Sequence, residues 1–317
     1  MKSIGGYFSL ELQTGEHYHR NAIRLNTSRN CLEYILIAKQ YQKVYIPFYT
    51  CEVIIEPLKR NRIEYEFYHV NELLDPVETF ELSAHQAFLY TNYFGLKNKT
   101  VERLAKLHGK QLIVDNAQSF YAPPVDGVDT FYSARKFFGV ADGGFLYTDQ
   151  RLTNTFEQDV SFGRMSHLLK RIDCSAELAY EDFRKNDDSL INNPIRTMSN
   201  LTDAILRSID YKTIQEKRLE NFQILNSALK KENLLAIDFS CNDTIPMVYP
   251  FWGKDEGLRK RLISKKVYVA TNWPNLFHWC NENDLEYVLA KNIIPLPVDQ
   301  RYDKEDMQEI IRIINKH

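Results

Sequence analysis

The sequence predicts an α/β protein: a large domain built on a mainly parallel sheet, followed by a smaller C-terminal α+β domain. From about residue 20 to 150, helical and strand patterns alternate at short spacing, as a parallel sheet with crossover helices requires. A long amphipathic stretch near residue 200 separates this alternation from a second, more compact one. At 317 residues the chain is long enough for one large domain and one small one.

In chain order, "RNCLEYILIAKQY" places Leu32, Ile35, Leu36 and Ala38 near helical spacing, and "KVYIPFYT" follows as a β-rich run that stops at a polar tip. "CEVIIEPLKRN" reads as a helix and "IEYEFYHV" as the next strand. "AFLYTNYFG" is a strand and loop, "TVERLAKLHG" a helix closed by Gly109, and "QLIVDNAQSF" a strand whose apolar run ends at Asp115. Residues 150–198 are polar and acidic and read as loop plus helix. "MSNLTDAILRSIDYKTIQEKRLENFQILNSALKKE" is the amphipathic connector, broken near Asp210. Beyond it "IPMVYPFWG", "LRKRLISKK", "VYVATNWP", "IIPLPV" and "KEDMQEIIRIINK" alternate strand and helix. The large domain is therefore set at residues 1–205, with the connecting helix and small domain at 206–317.

Lys and Arg total 40 against 42 Asp and Glu, a net charge of −2, so the chain lacks the basic field that a nucleic-acid binder uses. Cys31, Cys51, Cys174, Cys241 and Cys280 are scattered, with neither CxxC nor Cys/His ligand spacing. That pattern argues against a disulfide framework or a structural zinc and fits a reducing cytoplasm. No segment has the uninterrupted apolar length of a membrane span, and the N-terminal stretch lacks an apolar targeting core. The histidines, among them His69, His85 and His278, show no paired metal-ligand spacing, so no metal site is expected.

Ligands of open α/β sheets bind beyond the carboxyl ends of strands, which makes Thr50, Asn92, Asp115 and Gln118 one candidate cluster. Lys136 stands out in "YSARKFFGVADGG" because it sits between a turn-like Ser-Ala-Arg and two phenylalanines. Composition alone makes it a solvated charge at a sheet edge. Set against Phe137 and Phe138, its amine could instead be held uncharged as a nucleophile or in covalent linkage to a carbonyl cofactor. A pyridoxal phosphate site needs three more parts: an acid for the pyridine nitrogen, a phosphate cradle and a group near the ring hydroxyl. Asp115 ends an apolar strand, where a carboxylate wants a partner such as a protonated ring nitrogen, or else serves as a helix cap. "NTSRN" opens a helix, so amides near Thr27, Ser28 and Arg29 either hold a phosphate or make an ordinary N-cap. Ser133, three residues before Lys136, can add a hydroxyl to the same phosphate.

With these elements in one order, the sequence resembles the sugar aminotransferases of the DegT/DnrJ/EryC1/StrS family. The resemblance is carried by "TSR", "PFYT", "NYFG", "DNAQ" and "KFFGVADGG", over about residues 20 to 225 and more loosely beyond. It implies a fold type I pyridoxal-phosphate transferase with a mainly parallel seven-stranded sheet. It further implies an aminotransferase that moves an amino group, typically from L-glutamate, to a nucleotide-linked keto-deoxysugar in surface-glycan or related biosynthesis. Lys136 then bonds the cofactor and shuttles the proton, Asp115 keeps the ring nitrogen protonated, and Gln118 lies near the ring hydroxyl or face.

The chain departs from the family in several places. Thr-Ser-Arg stands for Ser-Gly-Thr, which brings the Arg29 side chain into the phosphate site. The family's stacking aromatic falls near Cys51, leaving Tyr49 or Tyr93 to substitute. Asn92, Tyr93 and Arg301 are candidates for substrate contact, Arg301 also reading as a solvated loop arginine. The family's Asn-Tyr-Arg element survives only as "PIRTMS". Arg196 is its counterpart, reaching the phosphate bound by a second copy in a homodimer, or else a plain surface arginine. A sugar dehydratase of the same fold would carry histidine in place of Lys136, and a catalytically silent scaffold is the alternative outside enzyme chemistry.

Overall fold

The computed structural model describes residues 4–240 and 244–316. Its regular structure begins with β1 (Ile23–Leu25) and α1 (Ser28–Lys39). Thr27 caps α1 by accepting the Asn30 N–H at 3.0 Å, and the helix ends at Gln40, whose φ of 54° turns the chain back. The buried face of α1 carries Leu32, Ile35 and Leu36, as the helical spacing predicts. There follow β2 (Lys43–Pro47), α2 (Ile55–Arg60), β3 (Glu64–Tyr68), β4 (Gln86–Thr91), α3 (Asn98–His108), β5 (Leu112–Asn116), β6 (Asp129–Ser133) and β7 (Gly144–Tyr147). Gly109, at φ 53°, stops α3 as expected.

The strands form one seven-stranded sheet in the order β1-β7-β6-β5-β4-β2-β3. The pairs among β3, β2, β4, β5 and β6 are parallel, and β7 and β1 add antiparallel at one edge. Because β4 and β5 pair in parallel with Thr91 opposite Asp115, both polar ends emerge at the same edge of the sheet. Leu112, Ile113 and Val114 are buried in succession, as a strand covered on both faces demands.

The polar stretch after β7 contains two helices, α4 (Ser166–Asp173) and α5 (Ala176–Ser189). The connector is two helices, α6 (Asn200–Arg207) and α7 (Tyr211–Leu229). The break falls at Asp210, whose Oδ1 accepts the Thr213 N–H at 3.1 Å and so caps α7. The rest of the chain comprises β8 (Val248–Phe251), α8 (Leu258–Ser264), α9 (Leu276–Trp279), α10 (Leu285–Asn292), β9 (Ile294–Pro297) and α11 (Lys304–Asn315). β8 and β9 pair as a two-stranded antiparallel sheet.

One expectation fails here. "VYVATNWP" is irregular chain, not a strand: its first N–H, from Val267, is taken by Leu262 at the end of α8, and Pro274 has none to give. Val267 and Val269 satisfy their apolar character by packing on the core without joining a ladder.

A single cluster joins Tyr90, Phe94 and Val114 of the sheet region to Phe222 and Leu225 of α7, Leu296 of β9 and Ile310 of α11. The C-terminal elements therefore share a core with the large sheet. A second cluster seats α1 and α2 on the opposite side through Leu32, Ile35 and Leu58. Cys31, Cys51, Cys174 and Cys280 are free thiols, and Cys241 lies outside the described residues. Among the described residues no helix is long and apolar enough to cross a membrane.

Candidate active site

Parallel strands end together, and here β4, β5 and β6 end at a cavity of about 290 Å³, at the lower limit for small-molecule sites. Thr27, Ser28, Arg29, Thr50, Asp115, Gln118, Ser133 and Lys136 all line it. Residues more than a hundred positions apart in sequence are thus gathered around one space.

Thr27, Ser28 and Arg29 bring the start of α1, whose first-turn amides have no partners within the helix. That start rests on the Asp-Gly-Gly turn. Gly143 N–H donates to Asn26 C=O, and a Cβ on Gly144 would lie 2.6 Å from the Thr27 carbonyl carbon and oxygen. Gly143 has φ +119°, a region open to glycine and strained for other residues. Asp142 anchors the turn: its buried carboxylate accepts the Ser199 N–H at 2.8 Å, the Ser199 hydroxyl at 2.7 Å and the Thr202 hydroxyl at the start of α6. The Asp-Gly-Gly motif is therefore a staple that sets the height of α1 against the cavity, a role that spacing alone did not disclose. Gly144→Ala is expected to cost about 1–3 kcal/mol through overpacking against backbone and to weaken binding of an anionic ligand at α1. Denaturant midpoints and a phosphate-ligand titration check both.

Asp115 Oδ1 accepts the Ala117 N–H at 2.8 Å. Burial raises its pKa above the usual carboxylate value, while the Lys136 charge and the Ala117 N–H act in the opposite direction. An acid in this condition gains from a cationic hydrogen-bond donor placed in the cavity. Gln118 Oε1 accepts the Phe94 N–H at 2.8 Å, which leaves its NH₂ as the end it can offer.

Lys136 ends a short 3₁₀ turn, Ala134–Lys136. The Phe137 and Phe138 N–H groups both donate to Ala134 C=O, at 3.0 and 2.9 Å. The expected desolvation of Lys136 by its phenylalanine neighbours is not found. Phe137 and Phe138 point into a buried cluster with Phe120 and Tyr121, while Lys136 is exposed toward the cavity. The 3₁₀ turn ends at Lys136, and the chain beyond it carries both rings into the core while the amine stays outside.

Tyr49, Asn92, Tyr93, Arg196 and Arg301 are not brought to the cavity, and the Arg29 guanidinium, although beside it, is already paired. Tyr49 and Tyr93 are fully buried, their ring centroids 5.5 Å apart, with the Tyr93 hydroxyl donating to Tyr49 C=O at 2.9 Å. The chain bends after β2 so that Thr50 and Cys51 face the cavity while Tyr49 turns into the core. Asn92 is also buried, donating to Asn98, Asn116 and Ser119 and accepting the Lys97 N–H, so it knots the turn after β4. Arg301 forms a bidentate pair with Asp299 at 2.6 and 2.8 Å, away from the cavity lining. Arg196 stitches its backbone to Asn26, and its guanidinium lies 3.8 Å from Asp159 and 3.9 Å from Glu157. The Arg29 guanidinium pairs with Glu56 at 2.8 Å and donates to Leu190 C=O at 2.7 Å, so its charge is already answered within the chain.

The cavity also holds residues that the sequence reading missed. Trp273 reaches it from the irregular segment expected to be a strand, braced edge-on by Tyr49 at 5.0 Å between centroids. Phe183, Asp187 and Leu190 come from the α5 region, and Arg135 beside Lys136 pairs with Asp187 at 2.7 Å. A lone tryptophan before proline in a polar run was the available signal for Trp273.

No protein-family model matches the chain, and no curated protein matches it by sequence. Solved structures do. It is similar to the sugar aminotransferase CalS13 from Micromonospora echinospora, with a TM-score of 0.61 and 12% identity over 92% of this chain and 86% of that one. This is the fold of the sugar aminotransferases. A DegT DnrJ EryC1 StrS aminotransferase from Brucella abortus gives 0.62 and 15% over 92% and 84%. The ntda protein of Bacillus subtilis, solved with bound cofactor PMP, gives 0.61 and 14% over 93% and 73%. The expected fold type I architecture, with its mainly parallel seven-stranded sheet, is met.

Proposed function

We propose that the chain is a pyridoxal-phosphate-dependent aminotransferase acting on a nucleotide-linked keto-deoxysugar, with L-glutamate as amino donor. The observation that carries this reading is the meeting of Lys136, Asp115 and the start of α1 around one cavity. Those are an amine, a half-buried acid and an anion-binding helix end, the three chemistries that the cofactor's aldehyde, ring nitrogen and phosphate need. The residues fit the group. Asp115 is a half-buried acid whose desolvation raises its pKa and whose ionised form wants a cationic partner, and Gly144 leaves only backbone-close space behind Thr27, so α1 stands at a fixed height.

Bound there, the cofactor supplies a carbonyl for the incoming amino group and a ring that delocalises an electron pair. The protein supplies the rest. Lys136 Nζ anchors the cofactor covalently and, once released, moves the proton that leaves the donor's α-carbon. Asp115 holds the proton at the ring nitrogen. Thr27, Ser28, the Arg29 backbone amide and Ser133 cradle the phosphate, Gln118 offers its NH₂ to the ring hydroxyl, and Trp273 and Ala117 supply apolar walls for a flat ring.

The chain works as a homodimer, with Arg196 reaching the phosphate site of a second copy. Support for a covered face comes from α4, α5 and their flanks, where Phe162, Leu169, Ile172, Leu178, Tyr180 and Phe183 are exposed, Phe183 also lining the cavity. The free thiols fit a reducing compartment such as the cytoplasm.

The test is incubation with pyridoxal phosphate, L-glutamate and a panel of nucleotide-linked keto-sugars. A visible absorbance band that shifts on adding glutamate, with an amino-sugar product by mass spectrometry, is the expected result. A protein that takes up no cofactor under these conditions would sink the proposal.

A further inference from the structure

Arg218 on α7 is the largest fully buried side chain in the described protein, 1% exposed, yet its guanidinium meets neutral acceptors. Its Nη1 donates to Met247 C=O at 3.1 Å and Pro246 C=O at 3.5 Å, Nη2 to Phe137 C=O at 3.4 Å, and Nε to Gln300 Oε1 at 3.0 Å. The guanidinium also lies 4.6 Å from the centroid of the Phe137 ring. Asp299, whose charge reaches Arg218, is itself held in a bidentate pair by Arg301. A buried cation answered this way is costly, and an apolar side chain of similar volume would normally serve the fold as well or better. Its retention calls for something that an apolar residue cannot do.

Gln300 shows what that is. Its Nε2 donates to Phe137 C=O at 2.8 Å while its Oε1 accepts from Arg218. An amide side chain has two similar ends, and a donor at one end fixes which end points the other way. Arg218 Nε–H selects the orientation in which Gln300 presents an N–H to Phe137. The residue that follows Lys136 is then gripped on both sides. Its own N–H is held by Ala134 C=O, and its carbonyl is held by Gln300 and Arg218 from the C-terminal half of the chain. Lysine has a long, freely turning stem, so the position of its amine depends on how firmly the backbone at its root is held.

We infer that Arg218 and Gln300 are positioning residues that set the aim of the Lys136 amine into the cavity by clamping the Phe137 carbonyl. This rests on the reading that Lys136 bonds the cofactor. It also links the C-terminal elements to the reacting turn through a polar path that the apolar core does not provide.

The test uses the whole cofactor-free protein mixed with pyridoxal phosphate, following the visible band with time and trapping the Lys136 adduct with borohydride. Gln300→Glu is the decisive variant. A carboxylate still accepts from Arg218, now as an ion pair, but cannot donate to Phe137 C=O. Its melting temperature is expected close to that of the parent, the ion pair with Arg218 offsetting the lost hydrogen bond to Phe137 C=O, with the capture rate lowered about ten-fold or more. Arg218→Met is expected to slow capture similarly, and if it does not fold, Gln300→Glu carries the test. Capture by Gln300→Glu at the parental rate overturns the inference. So does slowed capture accompanied by a lowered melting temperature, which assigns the pair to the fold alone. If the parent protein itself gives no Lys136 adduct, the cofactor reading fails first and this inference falls with it.

Discussion

Lys136→Ala is expected to abolish the borohydride-reducible adduct with pyridoxal phosphate and to lower the glutamate half-reaction by about 10²- to 10⁴-fold. On the proposed reading two functions disappear at once, the covalent anchor and the base that takes the α-proton. Stability should change by no more than about 0.5 kcal/mol, because Lys136 is exposed and its turn is held by backbone bonds to Ala134 and by Phe137 and Phe138 in the core. Mass spectrometry of the reduced parent protein should place the cofactor on Lys136. Its appearance on another lysine, or a full-strength adduct in the alanine variant, would remove Lys136 from this role.

Asp115→Asn is expected to keep some cofactor and to slow the half-reaction by about 10²- to 10³-fold, since the amide no longer holds the ring nitrogen's proton. The same change has an opposite consequence for the cofactor-free fold. Burial raises the folded-state pKa of Asp115 above its unfolded value, so the folded state binds the proton more tightly. The resulting stabilisation is fully present below the unfolded pKa and is lost as pH rises through the folded pKa. At neutral pH the ionised carboxylate therefore weakens the empty protein, and Asp115→Asn should melt no lower than the parent there. Thermal melts of both cofactor-free proteins across pH, paired with stopped-flow glutamate kinetics, separate the two effects. An unimpaired half-reaction would strip Asp115 of its assignment, and a lower neutral-pH melting point would show that the carboxylate supports the fold instead.

Much of this was legible in the chain itself. The periodicity around Leu32 and Ile35 determined α1, the turn chemistry at Gly109 ended α3, and the acidic cap at Asp210 divided the connector into α6 and α7. The strand-end rule placed Thr50, Asp115 and Gln118 in one cluster, and the helix start at "TSR" with the family resemblance carried by "DNAQ" and "KFFGVADGG" added Thr27, Ser28, Arg29, Ser133 and Lys136, all of which line the cavity. These are local or topological constraints, and each is written in a few adjacent residues.

The choice between neighbours was decided only in three dimensions. Thr50 and Cys51 face the cavity while Tyr49 is buried, and Gln118 lines it while Asn92 ties a turn, although all are polar or aromatic residues near strand ends. The bend over residues 48–50 after β2 sets the first choice, and the hydrogen-bond knot with Asn98, Asn116 and Ser119 sets the second. Phe137 and Phe138 belong to the core, so their nearness in sequence to Lys136 did not translate into burial of the amine. Trp273 and Arg218 reach the site and its supporting turn from more than 80 residues away in sequence, which no local pattern encodes. What the sequence by itself determined was the set of elements and the chemistry they carry. Which side chain of each element turns toward the cavity was decided by packing, because rotating a turn by one residue costs little locally and much against a filled core.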